Sequence, residues 1–200
     1  LYDGVGSISM QGSLQVNSSS AGRIQFTIVN GGNIWFHITQ SQLGNAVRNI
    51  RLLRLADEFA DLTAEPFHET FLDKIRPFKS LRFMDWGATN NNPAVQWSER
   101  STPAFFTYGR PTGVPYEIMI QLANLTNKDV WICVPHAAND NYVTQMAALF
   151  RDQLKPGITV YLEYSNEVWN WIFTQAHYND DNRPANLGYG RAYSEKAKRV

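Results

Sequence analysis

From about residue 45 to the end, short apolar runs alternate with stretches whose apolar residues recur at helical spacing, which narrows the chain to a parallel α/β architecture. Four strand–helix units can be read. Strands are predicted over 47–53, 80–85, 129–135 and 158–165. A first helix follows Pro66 with Phe67, Phe71, Ile75 and Phe78 as its stripe, and a second opens at Pro115 and runs through Ile118, Met119, Leu122 and Ala123. A third places Val143, Met146, Ala147, Phe150 and Leu154 on one face and stops at Lys155-Pro156-Gly157. A polar turn is expected around 180–184, and a last helical stretch begins at Tyr189. Four units fill residues 46–200, so eight at this pace would exceed the ~250 residues typical of a closed eight-unit barrel. The expectation is half a barrel or an open sheet. The chain stops inside a helical stretch, which reads as a piece cut from a longer protein.

Residues 1–45 read differently. They are poor in charge and contain two strand-like runs, Arg23-Ile24-Gln25-Phe26-Thr27-Ile28 and Asn33-Ile34-Trp35-Phe36-His37-Ile38, with Asn30-Gly31-Gly32 between them as a predicted hairpin turn. This is expected to be the end of a β-sandwich-like module preceding an α/β domain at 46–200.

Eighteen basic and eighteen acidic residues cancel without any run of one sign, which argues against nucleic acid or an anionic membrane as partner. No apolar stretch is long enough to span a bilayer. The six Trp, nine Tyr and eleven Phe suit a dense core or a surface that stacks on flat apolar ligands such as sugar rings. The lone Cys133 lies in an apolar strand, so a buried thiol is expected, and Trp131 in the same strand is expected in the core. His37, His68, His136 and His177 are scattered without ligand spacing, so no metal is predicted. No glycine-rich phosphate loop follows the first strand, and no cofactor is predicted.

In parallel α/β folds, functional groups gather where strands end and loops begin. The polar residues there are Arg82 and Asp85, with Trp86, on the second strand; His136 on the third; and Glu163, Asn166 and Glu167 on the fourth. Period-two alternation predicts that Tyr161, Glu163, Ser165 and Glu167 share one side, with Arg82 and His136 in reach of the carboxylates. An acid inside an apolar strand needs a partner, so Glu163 is expected to be paired, supporting Glu167 from behind together with Asp85. The loop over 86–114 is long enough to carry function, and Trp86 and Trp169 offer aromatic faces at the strand ends.

The run Val160-Tyr161-Leu162-Glu163-Tyr164-Ser165-Asn166-Glu167 resembles the fourth-strand motif of clan A glycoside hydrolases, retaining enzymes built on a (β/α)8 TIM barrel. Arg82 near the second strand's end and His136 near the third's match cellulase-like and mannanase-like members in position and type. The resemblance covers residues 47–200. It implies the first half of a TIM barrel, strands one to four, in which Glu167 is the general acid/base, Asn166 contacts the sugar's 2-hydroxyl, Arg82 keeps the nucleophile ionised and His136 shapes the cleavage subsite. The nucleophilic Glu of such enzymes ends the seventh strand, so it would lie beyond residue 200 and these residues alone would be inactive. The expected function is therefore hydrolysis of a β-linked polysaccharide or oligosaccharide outside the cell. The alternatives are a non-catalytic carbohydrate-binding or adhesion module and an unrelated open-sheet protein.

Overall fold

The computed structural model describes residues 1–61 and 66–200. It is a mixed α/β structure that divides into two compact units, Leu1–Pro66 and Phe67–Val200.

The first unit is one long antiparallel ribbon. Strands β1 (Gly6–Gly12) and β2 (Leu14–Ser20) run out, the chain turns at Ala21-Gly22, and β3 (Arg23–Ile28) and β4 (Ile34–Ser41) run back, β2 pairing with β3 and β1 with β4. Both predicted strands form, but Asn30-Gly31-Gly32 does not join them as a hairpin. It interrupts one arm of the ribbon, and the hairpin turn sits instead at Gly22, whose φ of 76° suits glycine. The strand predicted over 47–53 is absent. Asn49 turns into the left-handed region (φ 49°), and only Arg48 makes an isolated antiparallel bridge, with Asp3.

The second unit holds a three-stranded parallel sheet in the order β5 (Ser80–Arg82), β6 (Asp129–Val134), β7 (Val160–Tyr164). The alternation thus gives parallel α/β structure. It does not give half a barrel, because the strand meant to precede β5 is missing and the sheet is short, open and not closed on itself.

Around the sheet lie helices α1 (Glu69–Ile75), α2 (Tyr116–Thr126), α3 (Asp140–Gln153), α4 (Thr174–Asp181) and α5 (Tyr189–Ala197). Local chemistry sets their ends. The Asn139 side chain accepts from the Tyr142 amide to start α3, and left-handed Asn127 closes α2 with its N–H on the Ala123 carbonyl. The polar turn expected around 180–184 follows helix α4, which was not expected; its buried face carries Gln175 and Asn179 beside Ala176, so no apolar stripe announces it. No helix among the described residues is long and apolar enough to cross a membrane.

The core lies on one face of the sheet. Leu81, Phe83, Val130, Ile132 and Val134 meet Met119, Ile120 and Ala123 of α2 and Tyr142, Met146 and Phe150 of α3, each fully buried side chain contributing about 1.5–3 kcal/mol of transfer free energy. Trp97 stacks on Tyr116 at 6.1 Å, and the Tyr116 and Tyr142 hydroxyls share a hydrogen bond of 3.0 Å. The opposite face is different. Register places Arg82 beside Trp131, Trp131 beside Tyr161, and Cys133 beside Glu163, so these five share a side. Trp131 is not core: it is 40% exposed there, with the Arg82 guanidinium 4.8 Å above its ring.

Candidate functional site at the end of strand β7

The site begins with a break in β7. After Tyr164 the extended backbone ends, and Ser165 (φ 60°) and Glu167 (φ 42°) both take the left-handed conformation that non-glycine residues avoid. The predicted alternation therefore stops before Glu167, and Glu163 and Glu167 do not share a side by strand periodicity. Asn166, between the two turned residues, is buried.

Asn166 is held by three elements. Its Oδ1 accepts from Arg82 Nη2 at 2.9 Å, its Nδ2 donates to Asn90 Oδ1 at 3.0 Å, and its backbone carbonyl accepts from Gln175 Nε2 at 2.8 Å. Gln175, wholly buried, also donates to Asn90 Oδ1 at 2.6 Å and accepts the Asn91 amide at 3.0 Å. Asn91 Oδ1 in turn takes the Thr174 amide and hydroxyl. The loop after β5, the turn after β7 and the start of α4 are thereby tied into one polar network, beside which the buried Ser165 hydroxyl is left without a partner among the described residues.

Glu163 forms the other half. Its Oε2 accepts from Arg82 Nη2 at 2.9 Å, Trp131 Nε1 at 2.8 Å and Cys133 Sγ at 3.4 Å. Arg82 therefore bridges Glu163 and Asn166, the pairing expected of an acid in an apolar strand. Cys133 is a buried free thiol, as predicted; burial first and the Glu163 charge second push it up to about 12.

Glu167 lies outside this network. Its carboxylate, partly exposed, accepts from Asn170 Nδ2 at 2.9 Å, and its carbonyl takes the Asn170 amide at 2.8 Å. Trp169, 67% exposed, stands two residues on. Tyr189 fixes the far side of the turn by donating its hydroxyl to the Val168 and Ala176 carbonyls.

Three expected members stand apart. Trp86 stacks on Phe71 at 6.0 Å and contacts Phe83 at 5.5 Å, packing as a wall of the core instead of offering a ligand face. His136 is at the end of β6 but reaches neither carboxylate: its ring packs edge-on to Tyr178 at 5.1 Å and its buried Nδ1 has no partner among the described residues. Burial, and then Lys196, hold its pKa below 6.5, so the ring is neutral at pH 7. Asp85 is exposed and acts on Arg82 only through its charge. Sequence reasoning misses Asn90 and Asn170 because amide residues in loops carry no periodic signal, and Gln175 because α4 has no apolar stripe. No group of three His, Cys, Asp or Glu placed to hold a metal occurs among the described residues.

No family model matches the chain, no curated protein matches its sequence, and no solved structure matches its fold. With no barrel structure matching and an open three-stranded sheet in its place, the resemblance to clan A glycoside hydrolases is overturned. A short strand-end motif is too little sequence to specify a whole fold.

Proposed function

We propose that the turn after β7 is a carbohydrate site and that the protein is a retaining glycoside hydrolase acting on a β-linked polysaccharide, with Glu167 as general acid/base. The observation that carries this reading is the backbone of Ser165-Asn166-Glu167. Two non-glycine residues in the left-handed region each cost on the order of 1–3 kcal/mol, and such cost is concentrated at working sites. Here it ends the strand and leaves the Glu167 carboxylate partly exposed, two residues before the exposed Trp169, while Arg82 and Gln175 fix the neighbouring Asn166.

In this reading a sugar ring stacks on Trp169, and Glu167 protonates the leaving oxygen and then activates water. Retaining hydrolysis also needs an attacking carboxylate on the opposite side of the scissile bond. Glu163 is poorly suited to that part, since its Oε2 already accepts three hydrogen bonds. A polymer substrate would put the reaction outside the cell. That same engagement of Glu163 supports a second reading, a carbohydrate-binding module in which Glu167 only accepts a sugar hydroxyl.

Hydrolysis of β-glucans, β-mannans and β-galactans by the full-length protein separates the two. Cleavage that falls by on the order of 10² or more in Glu167→Gln upholds the hydrolase. Glycan binding without cleavage by either protein replaces it with the binding module.

A further inference from the structure

A separate cleft of about 630 Å³ opens between the start of α3 and the α4–α5 pair, sharing none of the residues of the Asn166–Glu167 network. Val143, Leu187 and Ala192 give it an apolar floor. Its charge is lopsided for a chain whose formal net charge is zero: Arg183, Arg191, Lys196 and Arg199 line it against only Asp140 and Glu195.

The four cations are not equivalent. Arg183 is committed to Asp180 at 2.7 Å and to the Leu187 carbonyl at 3.0 Å. Lys196 is fixed from behind, donating to the His136 carbonyl at 3.2 Å, with its ammonium over the Tyr178 ring at 4.7 Å and the Tyr164 ring at 5.1 Å. Glu195 faces Lys198 at 3.3 Å. Arg191 and Arg199 are left without an acidic or carbonyl partner for their guanidinium groups among the described residues. Arg191 sits in the first turn of α5 and Arg199 in the turn just beyond its end.

We infer that this cleft is a binding site for a small organic oxyanion, a carboxylate or a phosphate ester, held by the guanidinium forks of Arg191 and Arg199 with Lys196 as a fixed positive charge at its wall. Guanidinium pairs with carboxylate or phosphate in a bidentate fork, and the cleft's volume lies within the ~300–1,000 Å³ range of small-molecule sites. The apolar floor suits a ligand with a carbon skeleton over a bare ion. The inference is independent of the sugar-site proposal, since it uses none of the same residues.

The test is calorimetric titration of the whole 200-residue chain with sodium phosphate and, separately, with sodium glucuronate, sodium chloride holding the ionic strength constant. Saturable one-site binding of either anion is expected, and which one binds more tightly identifies the ester or the carboxylate as the natural class. The double variant Arg191→Gln/Arg199→Gln should bind roughly tenfold more weakly or worse, a loss of about 1.4 kcal/mol for each factor of ten. Arg76→Gln/Arg151→Gln, which removes the same charge from exposed ion pairs elsewhere, should bind as the parent does. Far-UV circular dichroism checks that both variants keep their helices. Absence of saturable binding for both anions overturns the inference, as does a folded Arg191→Gln/Arg199→Gln protein that binds like the parent.

Discussion

Single side chains decide what each strand end can do. Arg82 serves two acceptors with one nitrogen, neutralising Glu163 while positioning the Asn166 amide, so its replacement would strand a partly buried carboxylate and free the turn after β7 together. His136 was legible as a strand-end residue, but not as a buried one. Position in sequence gives the end of a strand, whereas the Tyr178 ring that covers it comes from α4, a helix with no apolar stripe to read. Its burial has a pH signature. The folded protein binds a proton at this ring less readily than the unfolded chain does, so the unfolded state carries more protons below pH 6.5. Stability due to neutral His136 is fully present above 6.5 and is lost as pH falls through the depressed folded-state value. Urea unfolding midpoints between pH 8 and pH 5 should fall on acidification in the parent and fall less in His136→Gln; parallel profiles for the two proteins contradict this.

At the level of elements, the long loop after β5 is ordered by its own polar groups. The Glu99 carboxylate takes the Val95 and Gln96 amides, Arg100 pairs with Glu117 while lying over Trp97 at 4.2 Å, and Asn92 bonds the Gly87 carbonyl. Gly113 (φ 70°) closes its base, where a Cβ would come within 2.3 Å of the Trp86 carbonyl oxygen. The loop's extent was legible from its lack of periodicity; its internal order was not, since side chain to backbone bonds leave no repeat. Helix α4 serves this loop through Gln175. Gln175→Ala removes two donated bonds and an acceptor from a site without solvent, and should cost about 1–3 kcal/mol in urea unfolding. A loss below about 0.5 kcal/mol, the range of an inconsequential surface change, contradicts the clamp.

For the molecule as a whole, the sequence pattern fixes strand and helix identity in the second unit better than it fixes closure. Strands β6 and β7 and helices α2, α3 and α5 lie where periodicity places them, yet the 47–53 run, apolar enough to read as a strand, carries Arg48, Asn49 and Arg51 and does not join the sheet. Closure depends on such partners, and an open sheet leaves β7 as an edge. Val160, Tyr161 and Leu162 are all exposed on that edge, a template for pairing with another chain. Sedimentation velocity should show concentration-dependent self-association that Tyr161→Lys reduces; a monomeric parent at every concentration contradicts it. The proposed acid role of Glu167 is tested most directly by leaving-group dependence. A dinitrophenyl glycoside needs no proton to depart, whereas a sugar leaving group does. In the full-length protein, Glu167→Gln should therefore slow glycosidic bond cleavage on the order of 10²-fold with an oligosaccharide while leaving the first step with the dinitrophenyl glycoside nearly unchanged. Equal losses with both substrates would contradict proton donation by Glu167 and leave it a sugar-binding group.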